Sequence, residues 1–156
     1  MSNWTSTTDV RPRLDDIEAH LPADWHLVLV GADELPVAVG PGGVFALIVR
    51  RPGDEPITVY DRGLFIRNRR SHALTSARTR AAVVSGELFR LLRTQIECSC
   101  VVVLPAGNLT VRSRPRDVHI LHDHLLARWL SHLPRSLDDG QVLHIVRMVR
   151  LTSREH

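Results

Sequence analysis

The chain has no lysine; all 20 of its basic residues are arginine. Arginine stays protonated, so the sequence has no long-chain amine that could act as a neutral base. It also contains only two cysteines, Cys98 and Cys100, too few for a disulfide framework. Their spacing puts both on one face of a strand, where a bridge between them would strain the backbone. Buried free thiols are the expectation. Aromatic residues make up 4% of the chain, so there is little for nucleic-acid bases to stack on. No apolar run approaches the length of a membrane-spanning helix. The N-terminus, Met1 to Arg13, is polar and has no apolar signal core. These absences point to a cytoplasmic protein with no membrane contact.

What is present is ordinary for a globular domain. The 156 residues are 44% hydrophobic and 24% charged, enough for one domain with its own core. The net charge of +3 permits nucleic-acid binding without arguing for it. The arginine-only usage fits a coding bias, although guanidinium groups also suit phosphate and carboxylate partners.

The stretch Pro36 to Arg50 organises the chain. Val37 and Val39 precede a Gly40-Pro41-Gly42-Gly43 turn, and Val44 to Val49 is an almost unbroken apolar run. This reads as strand, turn, strand, with the second strand covered on both faces at the centre of a sheet. The glycine turn leads into a strand, unlike a phosphate-binding loop, which leads into a helix.

Around this hairpin, Leu14, Ile17 and Leu21 space a short helix, and Trp25 to Val30 a first strand. A second hairpin spans 57–67, its turn built on Asp61-Arg62-Gly63 with the glycine at positive φ. Leu74, Ala77, Ala81, Val84, Leu88 and Leu91 space the longest helix, with Arg78, Arg80, Arg90 and Arg93 on its other side. Ser99 to Leu104 is a second buried strand, and short strands follow at 109–112 and 118–121. Asp123 is placed to cap a helix that turns Leu125, Leu126, Trp129, Leu130 and Leu133 inward. Ser136 and Asp139 resemble a capping box before a last helix whose apolar face holds Val142, Leu143, Val146 and Val149. The expected fold is α/β, a central mixed sheet flanked by helices. The expected organisation is a flexible segment at 1–13, one domain at 14–151 and a frayed tail at 152–156.

Val39-Gly40-Pro41-Gly42-Gly43-Val44-Phe45, with Val101 to Leu104, Val118 and Leu126-Ala127-Arg128-Trp129-Leu130 before Leu137, resembles the NERD (nuclease-related domain) family. The resemblance implies a single restriction-endonuclease-like domain. It also implies an acid followed by histidine before the hairpin, then an acid-x-lysine at the end of its second strand. Here Leu35 and Pro36 hold the first positions, and Ile48 and Arg50 the second. Hard cations need carboxylate oxygens, and leucine and isoleucine have none. No catalytic residue and no cofactor are therefore expected. A displaced acidic site built from Asp33 and Asp54 would restore magnesium-dependent cleavage, but a strand step is a large error for catalytic geometry.

Two other clusters stand out. Arg62, Arg67, Arg69 and Arg70, with Arg78 and Arg80 just after, form the densest basic group, and Arg50 joins the first four as a candidate nucleic-acid-binding residue. They are either a phosphate-tracking surface or a solvated face balanced by nearby acids. Of the local rings, Tyr60 and Phe65, the second is expected to face the core. His119, His122, Asp123 and His124 are weak candidate metal ligands. A zinc site would need about four converging ligands, and a polar strand-to-helix junction with Asp123 capping is the preferred account of them. Ser71-His72 lacks the nucleophile elbow of a hydrolase. The functional expectation is a non-catalytic binding module for nucleic acid or a protein partner, with the displaced-site nuclease as the alternative.

Overall fold

The computed structural model describes residues 21–49, 56–67, 69–104 and 109–153, together with residues 15, 18 and 19, which are helical. The expected flexible segment 1–13, Leu14, Ile17, Arg50 and Asp54 lie outside the described residues.

Strands β1 (His26–Val30), β2 (Leu35–Gly40) and β3 (Gly43–Val49) form an antiparallel meander. Strands β4 (Ile57–Tyr60), β5 (Gly63–Ile66) and β6 (Arg69–Ser71) form a second one. Helix α1 (Ala73–Leu92) then carries the chain to β7 (Cys98–Leu104), followed by β8 (Leu109–Val111) and β9 (Val118–His122). A 3-10 turn at Asp123–Leu125, helix α2 (Leu126–Ser131) and helix α3 (Asp139–Ser153) complete the described chain.

The fold is α/β with two mixed sheets, one of five strands ordered β1-β2-β3-β7-β9 and one of four ordered β6-β5-β4-β8. β3 occupies the centre of the larger sheet, as its apolar run requires. Val44, Ala46 and Ile48 face one core, while Phe45, Leu47 and Val49 face the other. β7 and β9 run parallel to β3, so long connections must carry the chain back, and α1 is one of them.

The first core is shared. Val37, Val39 and Val102 of the larger sheet join Ile57, Val59 and Leu64 of the smaller, with Leu74 and Leu88 of α1 and Val142 and Ile145 of α3. The second core is smaller and is closed by Trp25, Leu126 and Leu130. The hairpin tip explains its own composition. A Cβ on Gly40 would collide with the Trp25 indole, and Gly43 has φ +130, a value that L side chains rarely adopt. The Pro41 carbonyl accepts hydrogen bonds from the amides of Ser136 and Leu137 at 2.7 and 3.0 Å. The tip is thus tied to the segment before α3.

Several local expectations are corrected. Gly63 does not have positive φ, whereas Arg67 does, at 52°. A Cβ at Gly63 would make ordinary contact with the Arg70 guanidinium at 3.4 Å, so neither φ nor space demands glycine there. Asp123 opens a 3-10 turn rather than capping the helix; α2 begins three residues later, and no side-chain bond caps it. The capping box before α3 pairs Asp138 with Gln141, not Ser136 with Asp139. The Gln141 amide donates to Asp138 Oδ1 at 2.8 Å, and the Asp138 amide donates to Gln141 Oε1 at 2.9 Å. Leu143 is 52% exposed and Leu125 37%, while Ile145 takes the inward position. The helix continues through residues 152 and 153, expected to fray.

Candidate functional site

The hairpin brings together the two positions that the family resemblance assigns to acids. Val37 pairs with Ala46, and continuing that register outward sets Leu35 opposite Ile48. Both positions turn toward the shared core: Ile48 is 1% exposed and Leu35 packs against it. A metal at this point would face hydrocarbon, which cannot replace its lost hydration. Asp33 is exposed in the turn between β1 and β2.

Among the described residues, a cation from α1 approaches the central strand. The Arg80 guanidinium donates to the Leu47 carbonyl at 3.2 Å. Burial lowers its pKa from the ordinary arginine value, an effect opposed by the nearby Cys100. Arg80 was expected among the solvent-facing arginines of α1; its long stem instead folds back over the sheet. Arg78 remains exposed and makes a two-toothed ion pair with Asp117, at 2.6 and 3.2 Å.

The arginine cluster divides. Phe65 pairs with Thr58 on one side and with Arg70 on the other. Thr110 pairs with Thr58. These four residues make a row across the smaller sheet, on the face opposite Ile57, Val59 and Leu64. Thr58, Tyr60, Arg62, Phe65 and Arg70 line a groove of about 600 Å³ on this face. The Arg70 guanidinium donates to the Arg62 carbonyl at 2.8 Å, which steadies it at the groove. Arg69 pairs with Ile66, so it projects from the other face of β6. Arg67 sits in the turn before β6 and does not line the groove.

Phe65 corrects the expectation that it faces the core. Its ring meets that of Tyr60 edge-on, centroids 5.6 Å apart and planes at 87°. Tyr60 is 41% exposed. The two rings of this region therefore stand with two arginines on one surface. Among the described residues no carboxylate lines the groove. The nearby Asp61 is engaged with Ser113, which donates its hydroxyl to the carboxylate at 3.3 Å and accepts the Asp61 amide at 2.8 Å.

The histidines do not converge. His119 and His122 lie three apart on β9 and so project to opposite faces. His119 packs among rings, with centroids 4.9 Å from Trp129 and 6.0 Å from Phe45. Burial lowers its pKa, which keeps it neutral near pH 7. His122 and His124 are neighbours, with ring centroids 5.3 Å apart. Among the described residues no group of three or more histidine, cysteine or acidic side chains could hold a metal. Cys98 and Cys100 are free, as expected. Burial pushes the Cys98 thiol up to about 11 and the Cys100 thiol up to about 12.

Of the groove residues, sequence reasoning passed over Thr58 and noted Tyr60 only as a local ring. Their signal was the alternation of Ile57-Thr58-Val59-Tyr60, which puts both on the face away from the core. Among the described residues no helix is long and apolar enough to cross a membrane. The chain matches no protein-family model, no curated protein and no solved structure.

Proposed function

We propose that this chain is a catalytically degenerate, NERD-like domain acting as a non-catalytic binding module, and that its ligand is nucleic acid. The observation that carries this reading is the groove on the smaller sheet, where Arg62 and Arg70 stand beside Tyr60 and Phe65 and, among the described residues, no carboxylate lines the wall. Guanidinium groups bind phosphate oxygens, and exposed rings bind base faces. The apolar filling of Leu35 and Ile48 supports the loss of catalysis, since neither can ligate a cation. A cytoplasmic setting goes with this reading, because Cys98 and Cys100 are free thiols.

Fluorescence anisotropy with labelled oligonucleotides at low salt tests the proposal. Affinity should fall steeply as salt rises. The double variant Arg62→Ala/Arg70→Ala should weaken binding about tenfold or more and reduce the salt slope by about 2. Arg69→Ala, on the other face of β6, should leave binding nearly unchanged. A plasmid-nicking assay with magnesium or manganese should show no cleavage. Cleavage that disappears in Asp33→Ala would overturn the non-catalytic reading.

A further inference from the structure

The groove has more features than a phosphate-binding surface needs. A duplex exposes its phosphates on a convex exterior and keeps its bases stacked inside. Such a ligand would use Arg62 and Arg70 and leave both rings idle. Yet Tyr60 is 41% exposed, next to Phe65, and lines the same groove as Arg62 and Arg70. A face-on stack of the two rings would consume a face of each. Their planes instead stand at 87°, so the pair commits one ring face to the contact rather than two. The groove, about 600 Å³ in volume, has the dimensions of a small-molecule site and can admit an unpaired base with its sugar and phosphate.

We propose, building on the nucleic-acid reading above, that the groove takes single-stranded nucleic acid, with an unpaired base stacked at Tyr60 and the adjoining phosphate held by Arg62 and Arg70. The tie from the Arg70 guanidinium to the Arg62 carbonyl leaves its other N–H groups for a phosphate. The row of Thr110, Thr58, Phe65 and Arg70 across the strands sets a second hydroxyl, that of Thr110, on the same sheet face as the Thr58 hydroxyl in the groove. Recognition of this kind tolerates sequence, because every base has a ring face.

The test uses the full chain and four labelled probes: oligo-dT and oligo-U of about a dozen nucleotides, and DNA and RNA duplexes of the same length. At least one single strand should bind about tenfold tighter than either duplex. Tyr60→Ala should weaken single-strand binding about tenfold and leave residual duplex binding unchanged, while Tyr60→Phe, which keeps the ring, should bind like the parent. Equal or tighter binding of a duplex, or unchanged single-strand affinity in Tyr60→Ala, overturns this inference and leaves nucleic-acid binding standing. Binding to none of the probes overturns both. Preference between oligo-dT and oligo-U identifies which single strand the groove takes.

Discussion

At the scale of single residues, the two thiols show what burial does to a titratable group. Cys100 lies among valines of the central sheet, partnered in register with Ala46 and Val118. Burial disfavours its thiolate, and that of Cys98, so both thiols titrate above the ordinary value of 9.0. In the unfolded chain they ionise near that ordinary value. Because the folded pKa values are raised, the stability they contribute is fully present below pH 9 and is lost as pH climbs toward 11 and 12. Two outcomes are expected. Native protein at pH 8 should resist alkylation by iodoacetamide and become reactive only in denaturant. The double variant Cys98→Ala/Cys100→Val should show a flatter decline in stability between pH 8 and pH 10 than the parent. Rapid alkylation of the native protein would contradict the burial of these thiols.

At the scale of elements, the prediction concerns α3. Its first turn is held by the reciprocal bonds of Asp138 and Gln141, the arrangement that satisfies two otherwise unpaired amides. Asp138→Ala should cost about 1 kcal/mol in urea unfolding, while Ser136→Ala should be close to neutral. Equal costs would mean that the cap had been misplaced. The same two residues show how far the sequence can be read. Ser136-x-x-Asp139 and Asp138-x-x-Gln141 both look like helix starts, and only the hydrogen bonds separate them. Long signals were legible. The run Val44 to Val49 demanded a strand covered on both sides, and β3 is that strand. The apolar stripe of α1 was legible for the same reason, with Leu74, Ala77, Val84 and Leu88 all buried. Short signals were not. β5 has four residues, Gly63 to Ile66, and on so short a strand Leu64 and Phe65 compete for the inward place. Leu64 takes it at 0% exposure, and Phe65 turns out to the groove. Nor could spacing reveal that Arg80 folds back to the Leu47 carbonyl, because a helical wheel fixes where a side chain starts and not where a long one ends.

At the scale of the whole molecule, β4 borders both the shared core and the groove. Ile57 and Val59 enter the core that the larger sheet and α1 also build, while Thr58 and Tyr60 face the groove. Stability and binding should therefore separate along a single strand. Val59 is fully buried, so Val59→Ala should cost about 2 kcal/mol, from lost transfer energy and the cavity left behind. Tyr60→Ala, at a half-exposed position, should cost less than about 1 kcal/mol while removing the aromatic wall. The reporter can sit on the far side of the molecule. Trp25 and Trp129 belong to the second core, which Val59 does not touch. If the shared core joins both sheets into one cooperative unit, Val59→Ala should move the urea midpoint seen by tryptophan fluorescence as far as the midpoint seen by circular dichroism. A fluorescence transition that stays in place while the dichroism transition moves would mean that the smaller sheet unfolds by itself. The groove would then ride on a separable unit, and the larger sheet would no longer be what holds Arg62, Arg70 and Tyr60 in position.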